Sequence, residues 1–173
     1  MDTLTPSGPR PLWRRAAVFL LVFVVLQWAW DQARGTAFER AVIDMATVAV
    51  AVSIINVWTP DVQAGAVGAH IKASGGGIHV LNGCEGTEVL FLLIAALLTY
   101  PLSWRWRCMG IVAGVAWVFV LNQLRLMALF YSYRHDRALF DQLHGLVAPM
   151  VLIALSVLFM ALIVRADERG GRT

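Results

Sequence analysis

Three side chains with reactive chemistry stand beside or within apolar segments of the chain: Cys84, Arg125 and His144. A cysteine with a histidine nearby is a common arrangement for a thiol nucleophile and its acid/base partner. A guanidinium close to them could stabilise the oxyanion of a tetrahedral intermediate. These residue types predict acyl transfer or peptide-bond cleavage, provided that the fold brings the three side chains together.

The positions of the apolar segments predict that the three side chains lie at one depth in a membrane. Cys84 stands at the start of one apolar run, and His144 opens another. Arg125 lies 16 residues after Met109, or about 24 Å along a helix. That distance places the guanidinium in the outer part of a hydrocarbon layer about 30 Å thick.

Each of these residues also has an ordinary structural interpretation. Cys84 could be a small apolar residue, Arg125 could extend its charge to the membrane surface, and His144 could be an interfacial histidine. A helix N-terminus favours a thiolate at Cys84, whereas Glu85 and Glu88 oppose it if they are ionised. The case for catalysis therefore depends on all three residues meeting at one site.

Three further polar residues could support the site. Asn122 precedes Arg125 by one turn on the same helix face. Glu88 follows Cys84 by four residues and is predicted on the same face. Asp141, three residues before the histidine, could cap the last helix or orient the imidazole.

The second cysteine and the remaining histidines offer no competing site with a clear pattern. Cys108 would lie about 36 Å from Cys84 along one helix, whereas a disulfide requires Cα atoms within about 7 Å. A haem or metal site is a further alternative, but no two of the histidines have the spacing of a ligand pair. We expect no metal and no organic cofactor. The histidines concerned are His70, His79, His135 and His144.

The composition requires a membrane protein. The 173 residues are 59% hydrophobic and only 14% charged, and their mean hydropathy is +0.69. A soluble domain is nearer 45–50% apolar and about 25% charged. A soluble enzyme, a disordered tail and a disulfide-stapled secreted domain are therefore excluded. The pI of about 9.3 is attributed to basic loops and predicts no nucleic-acid partner.

The predicted fold is an all-α polytopic membrane protein forming one membrane-embedded domain, residues 1–173. The segment 37–58 is predicted as an interfacial or re-entrant helix, because its charge-free part is 14 residues long and Arg40, Asp44 and Thr47 form a polar stripe. A small β-hairpin with a glycine-rich turn is expected within 61–83. Gly110 and Gly114 form a candidate packing face. The expected spans are about 12–30, 85–102, 109–131 and 145–164.

Basic residues predict the orientation of these spans. Eight arginines fall in segments 1–15, 101–108 and 165–173, whereas the longer segments 31–83 and 131–143 hold five Arg or Lys residues. The positive-inside rule then places both termini in the cytoplasm and the reactive side chains outside.

The residues around the three reactive side chains resemble those of the exosortase/archaeosortase family of membrane cysteine transpeptidases. The similarity rests on Asn-Gly-Cys84-Glu-Gly after the hairpin, Leu-Asn-Gln-Leu-Arg125 and His144 opening the last helix, and it runs from about residue 70 to residue 160. The short chain and its Trp-Arg-rich loop are similar to small members such as exosortase H. Many exosortases carry extra spans that this chain lacks.

The resemblance implies a role for each residue. Cys84 would be the nucleophile, His144 the proton-transfer partner, and Arg125 the oxyanion-stabilising or substrate-positioning cation. The implied substrates are exported proteins with a C-terminal sorting signal made of a short motif, a transmembrane helix and a basic tail. Cleavage would occur at the outer face of the cytoplasmic membrane, and the acyl group could pass to an amine-bearing acceptor.

A different class of protein remains open at this stage. A membrane scaffold or small transporter subunit would use Glu88 and Arg125 as a buried ion pair between helices. Membrane lipid is an expected partner under either interpretation.

Overall fold

The computed structural model describes residues 12–80 and 83–170, and most of these residues are helical. Long apolar runs without proline favour helices, because a helix satisfies every backbone hydrogen bond within its own segment. The helices in chain order are α1 (Leu12–Ala33), α2 (Ala37–Trp58), α3 (Thr87–Thr99), α4 (Trp104–His135) and α5 (Arg137–Gly170).

Helices α1, α3, α4 and α5 form a bundle in which α1 packs on α3, and α3 packs on α4 and α5. The predicted packing face of α4 is confirmed. A Cβ atom on Gly110 or Gly114 would lie 3.0 Å from a methyl group of Leu97 or Leu93, respectively. The two glycines therefore let α3 and α4 approach closely, as small residues do in membrane bundles.

Four of the described helices are long and apolar enough to cross a membrane: α1, α2, α4 and α5. The predicted span 85–102 is shorter than expected, since α3 has 13 residues, or about 20 Å. It begins only after Gly86 and ends before Pro101. The last helix is longer than expected, because it begins at Arg137 rather than near residue 145.

Helix α2 is continuous, and its segment Ala41–Ala49 is π-helical. Gln123 Nε2 of α4 donates to the carbonyls of Ala46 and Thr47 in α2, and the hydroxyl of Thr59, just after α2, hydrogen-bonds to the hydroxyl of Tyr131. These contacts place α2 beside the second half of α4. Its length would allow a crossing, so an interfacial position stays a prediction.

The predicted hairpin is confirmed, and it carries one more strand than expected. Strands β1 (Gly65–Val67), β2 (His70–Lys72) and β3 (Ile78–His79) form an antiparallel sheet in the order β1-β2-β3. The turn requires glycine at position 77, where a Cβ would collide with the carbonyl oxygen of Ile71.

The sheet covers one end of the bundle, which we call the sheet end. The buried faces of Ile71 and Ile78 join a core with Leu126, Leu129 and Phe130 of α4. Trp30, at the end of α1, belongs to the same core. The sheet, α1, α2 and α4 thus meet around the segment that contains Cys84.

Candidate active site

A short turn, residues 83–86, presents Cys84 at the sheet end. Gly83 and Gly86 both have positive φ angles, of 90° and 81°, which glycine adopts without steric cost. Helix α3 begins at Thr87, so Cys84 lies just before its first turn. The thiol-bearing residue is only 6% exposed and is not in a disulfide.

The imidazole of His144 faces this thiol. Its Nε2 atom lies 3.4 Å from Cys84 Sγ, within reach for proton transfer. His144 belongs to a π-helical segment of α5, Leu143–Val147, just before Pro149. Proline has no N–H for the carbonyl four residues earlier, so a departure from regular α-helix is expected here. The ring of Phe140 stacks on the imidazole with 5.5 Å between centroids.

Arg125 completes the cluster from α4. Its Nη2 atom lies 3.8 Å from Cys84 Sγ, and its Nη1 atom donates to the carbonyl of Gly83 at 3.3 Å. The Nε atom is buried and has no hydrogen-bond partner among the described residues. The guanidinium therefore places positive charge beside the sulfur, which favours the thiolate form.

Asn122 lies where the sequence predicted, one helical turn before Arg125. Its side chain is buried against Gly86, where a Cβ would lie 3.0 Å from the Asn122 Cγ atom. Its Oδ1 atom has no hydrogen-bond partner in the described segments. Asn122 therefore packs against the cysteine turn rather than holding it by a hydrogen bond.

Glu88 does not take the predicted position. Because α3 begins at Thr87, no helical turn links Glu88 to Cys84, and the Glu88 side chain is exposed. Within residues 12–80 and 83–170, the one ion pair joins Arg34 to Asp31. The Glu88–Arg125 pair that a scaffold or transporter subunit would have used is therefore not formed.

The prediction that Asp141 caps the last helix is wrong. The cap is Asp136, whose Oδ1 atom accepts hydrogen bonds from the backbone N–H groups of Ala138 and Leu139 at 2.9 and 3.1 Å. The side chain of Asp141, five residues further on, is exposed and makes no hydrogen bond to a described residue, so it does not orient the imidazole.

Glu85 is a buried residue of the site whose contacts the sequence did not predict. Its Oε1 atom accepts hydrogen bonds from Trp30 Nε1 at 3.3 Å and from the Thr87 hydroxyl at 3.0 Å. Its Oε2 atom is buried without a partner among the described residues. Since Trp30 ends α1 and Glu85 follows Cys84, this contact ties the cysteine turn to the bundle. The 55 positions between them leave no local sequence signal.

A cavity of about 520 Å³ opens beside the cysteine and is large enough for a small ligand. The sheet forms one wall, and α4 with the start of α5 forms the other. No three His, Cys, Asp or Glu residues cluster as metal ligands in the part of the chain that the structure describes. The walls include Gly77, His79 and Val80 on one side and Tyr133 and Phe140 on the other.

A thiol, an imidazole and a guanidinium thus meet at one end of a multi-pass bundle of apolar helices. A family model described as transmembrane exosortase (Exosortase_EpsH) matches residues 4–163. The chain belongs to the transmembrane exosortase family, and it is a multi-pass membrane protein. Exosortases are in general cysteine transpeptidases, and membership indicates the processing of protein sorting signals. No curated protein and no solved structure matches the chain significantly.

Proposed function

We propose that the protein is a membrane cysteine transpeptidase or protease that cleaves the C-terminal sorting signals of exported proteins through a thioester on Cys84. The observation that carries this proposal is the distance of 3.4 Å between Cys84 Sγ and His144 Nε2, with Arg125 Nη2 3.8 Å from the same sulfur. This arrangement supplies a nucleophile, a base and a fixed cation.

In the acylation half-reaction, His144 Nε2 takes the proton of the Cys84 thiol, and the sulfur attacks the scissile carbonyl carbon. The carbonyl oxygen becomes an oxyanion beside Arg125, whose guanidinium stabilises the negative charge. The carbon–nitrogen bond then breaks, the leaving amine takes the proton from the imidazolium, and the thioester forms.

In the second half-reaction, His144 removes a proton from the acceptor, and the acceptor attacks the thioester carbonyl. The carbon–sulfur bond breaks, and Cys84 regains its proton from the imidazolium. Water as acceptor gives hydrolysis, and an amine-bearing acceptor gives transpeptidation. These steps need no redox change.

We place the site on the extracytoplasmic face of the cytoplasmic membrane, with both termini in the cytoplasm. The distribution of arginines supports this orientation, because the sheet end lies opposite the arginine-rich segments 101–108 and 165–170. A substrate whose C-terminal helix lies in the bilayer would carry its cleavage site to this depth. Confinement to the membrane raises its effective concentration at the site.

The test compares the two cysteines. Suitable reporters are exported proteins from the same source that share a C-terminal motif, a hydrophobic helix and an Arg-rich tail. We expect Cys84→Ala to abolish reporter cleavage in an immunoblot, and Cys108→Ala, an exposed residue near the start of α4, to leave it unchanged. Normal cleavage in the Cys84→Ala strain would refute the proposal.

A further inference from the structure

Strand β3 has a backbone edge, on the side away from β2, that pairs with no other strand among residues 12–80 and 83–170. The N–H of Val80 donates to the carbonyl of Ala69, the residue opposite it, at 2.8 Å. Hydrogen-bonded pairs alternate with pairs that have no mutual hydrogen bonds along an antiparallel ladder, so the next pair, His70 and His79, has none. The N–H and C=O of His79 therefore point away from β2. They make no hydrogen bond to a residue that the structure describes.

This edge borders the same cavity as the candidate nucleophile. Gly77, His79 and Val80 line one side of the space, next to residues 70–72 of β2, and Tyr133 and Phe140 line the other side. Cys84 and His144 lie on the same boundary. A chain placed between the two walls would therefore run along β3 and reach the thiol.

The side chain of His79 leaves this edge open. Its ring stacks on the ring of His70 with 3.9 Å between centroids and 4° between planes. Adjacent side chains in a pair without mutual hydrogen bonds come close enough for such a contact. The imidazole is thus directed at β2, whereas the backbone groups of the same residue face the other way.

We infer that the substrate segment on the acyl side of the scissile bond binds in extended form, as a strand added to β3. This inference rests on the proposed function and specifies how that site takes its peptide. Strand addition gives affinity through main-chain hydrogen bonds and leaves selectivity to pockets for alternate side chains. A lipid acyl chain could fill the cavity but could not bond to the His79 backbone.

Strand addition also suits a reaction in two steps. After the leaving peptide departs, the acyl fragment is held by the thioester and by the hydrogen bonds to β3. The fragment would keep its orientation while an acceptor attacks. This fixed orientation favours transfer of the acyl fragment to the acceptor.

The test measures how fast Cys84 in the full-length protein is alkylated, in a Cys108→Ala background. The probes are acetyl-tetra-alanyl chloromethyl ketone and chloroacetone, which has the same reactive group without the peptide. In both cases the sulfur attacks the methylene carbon, chloride leaves, and the thiol proton passes to His144. Mass spectrometry of the Cys84 peptide gives the rates.

We expect the peptide probe to react about 25-fold faster than chloroacetone, as two added hydrogen bonds of about fivefold each would give. Replacing a single amide of the probe by an ester removes one N–H, which should slow labelling about fivefold where that N–H faces β3 and less at the intervening positions, because successive N–H groups of a strand point to opposite sides. The ester scan changes only the probe and leaves the sheet of the protein unaltered.

Proline variants test the same edge from the protein side. His79→Pro removes the outward N–H of β3 but keeps the C=O, and should reduce the advantage of the peptide probe about fivefold, the effect of one lost hydrogen bond. Ala66→Pro removes the equivalent outward N–H on β1, at the other edge of the sheet, and should preserve it. Proline is tolerated at edge positions where the N–H makes no ladder bond.

The outcomes separate the inference from the proposed function. Equal labelling by both probes, or an ester scan without alternation, would overturn strand addition and leave the nucleophile intact. If neither probe labels Cys84, the thiol is not a nucleophile, and the proposed function and this inference both fail.

Discussion

Cys84 Sγ and His144 Nε2 lie 3.4 Å apart, although 60 positions separate them in the chain. The contact depends on two local departures from regular helix. On one side, glycines 83 and 86 turn the chain so that the cysteine stands before α3. On the other side, the π-helical segment Leu143–Val147 carries the imidazole. Both sides are held by packing against α4.

Arg125→Lys should lower reporter cleavage about 100-fold, the effect of losing an oxyanion-stabilising donor. Lysine keeps the charge but cannot contact Gly83 O and Cys84 Sγ through two separate nitrogens. The matched control is Arg107→Lys on the same helix, where the guanidinium donates to the carbonyls of Tyr100 and Leu102. Full activity of the Arg125→Lys variant would show that Arg125 only extends its charge to the membrane surface and does not take part in catalysis.

Gly86→Ala should destabilise the protein more than Gly68→Ala. Both positions have positive φ, which costs a residue with a Cβ about 1–2 kcal/mol. At Gly68 nothing lies near the added Cβ, whereas at Gly86 it would meet Asn122 Cγ at 3.0 Å. Thermal unfolding in detergent measures the difference, and equal losses would show that Asn122 does not pack tightly against the cysteine turn.

Asp136→Ala should reduce the free energy of unfolding by about 1 kcal/mol, the usual loss when a helix N-cap is removed. Asp141→Ala, five residues later on the same helix, should change neither stability nor cleavage, because its carboxylate is exposed and makes no hydrogen bond to a described residue. Thermal unfolding and the reporter assay, applied to both variants, test these two expectations. A loss of cleavage in Asp141→Ala alone would restore its predicted role beside His144.

Trp30→Phe should cost about 2 kcal/mol of stability, since it removes a hydrogen bond to a buried carboxylate. Glu85 would then retain only the Thr87 hydroxyl. Trp28→Phe is the control, because Trp28 is 63% exposed on the same helix. Similar unfolding temperatures for the two variants would mean that the Trp30–Glu85 contact contributes nothing to the position of the cysteine turn.

The sequence predicted the meeting of Cys84, Arg125 and His144 because their depths follow from helix rise alone. A residue count along an apolar run gives a height in the membrane, and three residues at one height on packed helices can meet when their side chains face the interior of the bundle. The glycine-rich hairpin was also predictable, since Ser74-Gly75-Gly76-Gly77 breaks two short β-forming runs.

The supporting residues were less predictable because small backbone changes redirect side chains. The positive φ at Gly86 delays the start of α3, so Glu88 loses the helical relation to Cys84 and Glu85 becomes the buried carboxylate. Asp136 has the residue type of a cap, but it precedes the apolar run by several residues, whereas Asp141 stands closer to that run.

The most direct test of the central claim is mass spectrometry of the protein after incubation with a cleavable reporter. We predict an adduct on Cys84 whose mass equals that of the acyl-side fragment and which hydroxylamine releases, as a thioester requires. The adduct should be missing from Cys84→Ala and retained in Cys108→Ala. Complete reporter cleavage by a protein that never carries such an adduct would contradict nucleophilic catalysis by Cys84.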